Sequence, residues 1–116
     1  MGKAGGNIIL RKTIDFSLVV IDYVEKLESQ RKYVIARQLL RCATSIGANV
    51  HEAQNAESRA DFIHKFKIAA KEIEETKYWL ILCNESKSYP ACIELIERLH
   101  EIEKIVNKII TTSKSF

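Results

Sequence analysis

The sequence predicts an all-α fold, an up-down-up-down antiparallel four-helix bundle, on three observations. Only one proline and four glycines occur in 116 residues, and three of those glycines fall within the first six, which leaves little material for hairpins. Apolar residues recur at helical spacing through four successive stretches. The connections between those stretches are short, which forces neighbouring helices antiparallel. The length suits one domain with a single core, assigned to residues 8–116. Residues 1–7, opening "MGKAGG", read as a flexible leader.

The first helix is predicted from about Ile8 to Gln30 and the second from about Tyr33 to Ala56. The third starts at Ser58, where "SRAD" reads as a capping box. The Ser58 hydroxyl accepts from the Asp61 amide while the Asp61 carboxylate reaches back. That helix runs to about Ser86. "SKSYP" makes the next turn, with Ser88 as N-cap and Pro90 in the first turn of a fourth helix that ends near Thr112.

The width of each apolar face carries more information than the boundaries. The fourth helix has one apolar side, Cys92, Leu95, Ile96, Leu99, Ile102, Val106, Ile109 and Ile110, and a charged side opposite. The first helix carries two adjacent stripes: Leu10, Ile14, Leu18, Ile21 and Val24 beside Ile9, Phe16, Val20, Tyr23 and Leu27. In the third, Phe62, Phe66, Ala69, Ile73, Thr76, Leu80 and Cys83 form a core line, with Ile68, Trp79 and Leu82 off it. Large side chains left in water forgo roughly 1.5–3 kcal/mol each. The excess predicts a homo-oligomer with Phe16, Val20, Tyr23, Ile68, Trp79 and Leu82 at the subunit interface.

"RCATSIGANVHEA", residues 41–53, has glycine and asparagine inside the predicted second helix. It is nonetheless continuous, because Ile35, Leu39, Ala43, Ile46, Val50 and Ala53 hold a core line straight through it. Gly47 borders that line and permits close approach of a neighbouring helix, at about 1 kcal/mol of lost helix propensity. Arg41, Ser45 and Glu52 lie opposite the core, with Asn49 at its edge. A turn near residues 55–58 sets Arg41 level with Glu72 to Glu75, within reach of a guanidinium–carboxylate contact.

That stretch, with "SRADFIHKFKIAAKEIEETKYWL" (58–80), resembles the four-helix-bundle proteins encoded in intervening sequences of bacterial 23S ribosomal RNA genes, the S23 ribosomal protein family. The resemblance covers the chain from Ile8 onward. It implies a cytoplasmic bacterial protein that assembles as a homopentamer, related to the accessory variability proteins of diversity-generating retroelements, which bind nucleic acid and a reverse transcriptase. Arg41, Ser45, Asn49, Glu52, Glu72, Glu75 and Thr76 carry the shared polar pattern, along with Phe62, Lys65, Lys71, Tyr78 and Trp79.

Chemistry at a bundle core finds little support. A di-iron site needs two Glu-x-x-His motifs and two more inward glutamates. The chain has one, Glu97 to His100, on the wet side of the fourth helix. Cys42, Cys83 and Cys92 form no CxxC pair, have no histidine base at helix spacing, and read as reduced thiols. No catalytic residue, metal or cofactor is therefore expected. No apolar run reaches membrane-span length, and "NIIL" is too short for a signal-peptide core.

A net charge of +3 is compatible with nucleic acid without demanding it. Arg11, Lys12, Arg59, Lys108 and Lys114 are expected near one end of the bundle, and Arg31, Lys32 and Lys87 at the other. Lys67 and Lys71 share an outward face with Tyr78. Repeated around an oligomer, such clusters make a broad positive surface for RNA. The alternative partner is a protein, with the bundle as adaptor or structural scaffold.

Overall fold

The computed structural model describes residues 3–114, with the side chains of residues 3–7 outside the description. Four helices follow in order: α1 (Lys3–Ser29), α2 (Tyr33–Ala53), α3 (Arg59–Glu85) and α4 (Ile93–Lys114). There is no strand among the described residues. Each helix packs on the two beside it, α1 and α3 both touching α2 and α4, so the antiparallel bundle measures 48 × 20 × 19 Å. α1 begins at Lys3, five residues ahead of the start that the sequence suggested at Ile8; residues 1–2 lie outside the described residues.

The core is built from one stripe per helix. α1 supplies Ile9, Phe16, Val20, Tyr23 and Leu27, and α2 supplies Leu39, Ala43, Ile46, Val50 and Ala53. α3 contributes Phe66, Ala69, Ile73, Leu80 and Cys83, and α4 contributes Leu95, Leu99, Ile102 and Val106. α1 and α2 approach most closely at Gly47. A Cβ placed there would stand 3.1 Å from Thr13 Cβ. Thr13 is itself buried, and its hydroxyl donates to the Ile9 and Leu10 carbonyls at 2.9 and 3.0 Å, so the polar atom costs the core nothing unpaired.

The helix ends show why the turns are where they are. α1 closes with a pair of overlapping hydrogen bonds, Lys32 N–H to Leu27 O at 2.9 Å and Arg31 N–H to Glu28 O at 2.9 Å. Arg31 sits at the left-handed position that this closure requires, with φ of 64°. At the start of α3 the Ser58 hydroxyl accepts from the Asp61 amide at 3.0 Å. The Asp61 carboxylate reaches back one residue farther than a capping box predicts, accepting from the Glu57 amide at 3.2 Å.

The fourth helix starts later than the sequence suggests. Ser88 and Pro90 remain in the connector, and α4 begins at Ile93. Two contacts set by distant residues explain the delay. Asn84 Oδ1 accepts from the Cys92 amide at 2.9 Å, and the Tyr23 hydroxyl donates to the Pro90 carbonyl at 2.6 Å. Together they pin the connector to α3 and α1 before the last helix can begin.

Across the α3–α4 seam, Lys77 donates to Glu103 at 3.0 Å. Burial pushes the Glu103 carboxyl up, but the hydrogen bond and charge of Lys77 outweigh it and hold it below its ordinary 4.5. Lys77 is raised above 10.5, chiefly by the Glu103 hydrogen bond working against desolvation. A depressed acid stabilises the fold above its unfolded pKa and loses that contribution as pH falls through the folded value. A raised lysine stabilises fully below 10.5 and loses the effect as pH rises through its folded value. The difference in melting temperature between wild type and Lys77→Met is therefore expected to be widest near neutrality and to narrow at both extremes. A pH-independent difference in thermal melts contradicts this account.

Candidate assembly and nucleic-acid surfaces

Among the described residues, two unlike groups of exposed apolar side chains stand on the outside of the bundle, besides Ile8, Ile81 and Ile93. On α1, Ile14, Leu18 and Ile21 are exposed, Leu18 to 54%. They rise beside a shallow groove of about 330 Å³ whose walls include Ile14 and Leu18 of α1 and whose α2 side is Thr44, Gly47, Ala48 and His51. The small side chains of α2 make this groove, and the missing Gly47 side chain lets α1 lie low against it.

The second region lies across α2 and α3. Ion pairs fix the antiparallel register there: Arg41 with Glu75, and Glu52 with Lys65 at 3.0 Å. The same register sets Val34 level with Leu82. Val34 is 73% exposed, and Tyr78 and Leu82 are exposed on α3.

Between these regions runs the polar pattern of the second helix. Arg41 pairs within the chain, bridging Glu75 and, at 3.7 Å, Glu72, and it also donates to Gln38 at 3.3 Å. Glu75 accepts from the Trp79 indole N–H at 3.1 Å. Ser45 and Asn49 are half-buried and donate to the Arg41 and Ser45 carbonyls at 2.8 and 2.9 Å. Glu52 is exposed. Thr76, the member of the shared polar pattern that its spacing puts on the core line of the third helix, is fully buried there, its hydroxyl donating to the Glu72 carbonyl at 2.7 Å. Surface ion pairs of this kind contribute at most about 1 kcal/mol each, so the network fixes register more than it stabilises.

The interface candidates divide. Phe16, Val20 and Tyr23 are not available to another subunit, because they point into the chain's own core; Phe16 is 1% exposed. Thr13 lies within that core stripe and against Gly47, which turns the Ile14–Leu18–Ile21 stripe outward instead. Ile68 and Trp79 are half-buried, Trp79 packing against the core, and Leu82 is exposed. Val34 was missed by the sequence reading, and its signal was an unpaired apolar residue off the core line of α2.

The cations are equally uneven. Arg11 is held by Asp15 at 2.8 Å and Lys12 by Glu101 at 3.8 Å, which blunts that end. Arg59, Lys67 and Lys71 are exposed, the last two on the outer side of α3. Arg31 and Lys87 are exposed at the opposite end, where Lys32 lies over the Tyr89 ring, 4.7 Å from its centroid.

All three cysteines are buried and free. Burial pushes the Cys42 and Cys92 thiols up and carries Cys83 to about 11, away from the reactive thiolate. Among the described residues, no group of three or more His, Cys, Asp or Glu side chains converges to hold a metal. His100 stands 3.7 Å from Glu103 on α4. No helix among the described residues is long and apolar enough to cross a membrane.

These features define an antiparallel four-helix-bundle protein with a polar seam across its second and third helices. Residues 6–108 match the 23S rRNA-intervening sequence protein family, and the chain belongs to it. A solved structure similar to it is a protein of unknown function from the S23 ribosomal protein family of Bacteroides thetaiotaomicron VPI-5482, 36% identical, with a TM-score of 0.87 over 92% of this chain and 98% of that one. No curated protein matches the chain.

Proposed function

We propose that this protein is a non-catalytic, cytoplasmic scaffold that assembles from copies of itself into a closed ring and presents basic surfaces to RNA. The observation that carries the assembly is the pair of unlike apolar regions, Ile14–Leu18–Ile21 with its groove and Val34–Tyr78–Leu82. A single self-matching patch makes a two-fold dimer. Two different patches on one chain instead make a head-to-tail contact, which closes into a ring when the rotation permits. Five copies is the number that the family resemblance leads us to expect. The buried, high-pKa thiols favour a non-catalytic role.

RNA as partner is supported by the net charge of +3 and by repetition of each exposed cation around the ring. Native mass spectrometry is expected to find a single species near five times 13.3 kDa, and crosslinking in cells is expected to recover RNA. A monomer that retains no RNA defeats the proposal. Partner capture that survives nuclease, with no RNA bound, moves the protein to an adaptor role.

A further inference from the structure

The α1–α2 and α3–α4 turns lie at the same end of the bundle and touch, as the Lys32–Tyr89 contact at 4.7 Å shows. Residues 30–34 and 86–92 bring Arg31, Lys32, Tyr33, Lys87 and Tyr89 together and include no carboxylate. The nearest acids in sequence are Glu28 and Glu85 on the last turns of α1 and α3 and Glu94 on the first turn of α4, where it pairs with Arg98 at 3.2 Å. The turn at the opposite end, residues 54–58, carries Glu57, with Asp61 in the first turn of α3 behind it. Tyr33 is 51% exposed, and neither Arg31 nor Lys87 is held by a carboxylate among the described residues.

Arg31 occupies a backbone position at which glycine is the favoured residue. Its φ of 64° costs an ordinary side chain about 1 kcal/mol, and glycine removes that cost. The two backbone hydrogen bonds that close α1 offset that cost, but they ask nothing of the arginine side chain, which is exposed. The turn thus projects a long, exposed cation outward beside Lys87 and Tyr33, where it can meet something outside the chain.

We infer that this two-turn end is a docking site for single-stranded nucleic acid, with Arg31, Lys32 and Lys87 meeting phosphates and Tyr33 stacking on a base. The inference rests on the RNA-binding part of the proposed function and assigns it a place. Unpaired bases stack on exposed aromatic faces, whereas a duplex keeps its bases inside; cations alternating with tyrosines are the matching surface. In a ring this end recurs once per subunit, so one strand can run across several copies.

The test is fluorescence anisotropy with a labelled 15-nucleotide oligouridine, run beside thermal melts. The variants are Arg31→Gly with Lys87→Gln, Tyr33→Ala, and Lys67→Gln with Lys71→Gln. The first pair is expected to weaken binding about tenfold and to flatten the salt dependence by roughly one unit of slope per cation removed. Its melting temperature should hold or rise, because the glycine relaxes the turn. Tyr33→Ala is expected to cost on the order of tenfold. The Lys67 and Lys71 pair, which removes the same charge from the side of α3, should lose clearly less than the Arg31 and Lys87 pair, and an equal or larger loss there moves the site away from this end.

If wild type binds but the Arg31 and Lys87 pair binds equally well, this end is not the site and RNA binding itself stands. Equal affinity for a 15-base-pair duplex overturns the single-stranded assignment. A wild type that binds no oligonucleotide at low salt overturns both this site and the RNA part of the proposed function.

Discussion

Leu18→Glu is expected to leave a folded monomer of 13.3 kDa, in contrast to the larger assembly proposed for the wild type. Leu18 is 54% exposed within its own chain, so the substitution touches little of the core and should move the monomer's stability by no more than about 0.5 kcal/mol. At a covered interface the same carboxylate must lose its water without a partner, at several kcal/mol per contact. Every subunit of a ring makes that contact, so the loss repeats around it.

Val34→Glu, on the other apolar region, should give a monomer for the same reason. Mixing the two variants then separates the possible geometries. In a head-to-tail contact the intact Val34 region of one variant fits the intact Leu18 region of the other. The mixture should stop at a pair of about twice 13.3 kDa. If each region instead pairs with itself, either variant alone already dimerises through its undamaged region. Native mass spectrometry distinguishes these outcomes, and an unmixed wild-type monomer at micromolar concentration removes the basis for all of them.

Gly47→Leu carries the second large effect, on stability. Even a bare Cβ at this position meets Thr13 Cβ at 3.1 Å and Thr13 Oγ1 at 3.3 Å, with the Thr13 backbone carbon behind them at 3.8 Å. A leucine must push α1 outward along part of its length. Overpacking of this kind costs about 1–3 kcal/mol or more, against which a better helix former returns at most about 1 kcal/mol. A net loss of about 2 kcal/mol lowers the melting temperature by roughly 10 °C in a domain of this size.

Gly47→Ala should be close to neutral, its helix propensity set against a neighbour that has to yield by a few tenths of an ångström. Adding Thr13→Ala to Gly47→Leu should restore part of the loss, since it clears the hydroxyl oxygen, the nearest atom after the Cβ. Thermal denaturation of the four proteins tests the whole set. An unchanged melting temperature for Gly47→Leu rules out the close approach.

Much of this arrangement was legible in the sequence because it depends on local period and short turns. The start of α2 at Tyr33, the Ser58 cap, the continuity of α2 through Gly47 and the level of Arg41 against Glu72 and Glu75 all follow from spacing along one or two helices. The two stripes of α1 were equally legible as stripes. Which one turns inward was not, because both are apolar and the deciding residue is polar. Thr13 reads as surface from its type, yet its hydroxyl is satisfied by its own helix, and its small body fits against Gly47. The late start of α4 was hidden for a related reason. It depends on Asn84 and Tyr23, one from the preceding helix and one 67 residues away from its partner.

The seam between α2 and α3 holds one more opportunity. Trp79 is the chain's one tryptophan, and its indole is tied to the same carboxylate that receives Arg41. Its emission is thus an intrinsic optical gauge of that carboxylate's surroundings. Subunit joining along this side, or loosening of the seam, can be followed in real time by intrinsic fluorescence, without attaching a dye.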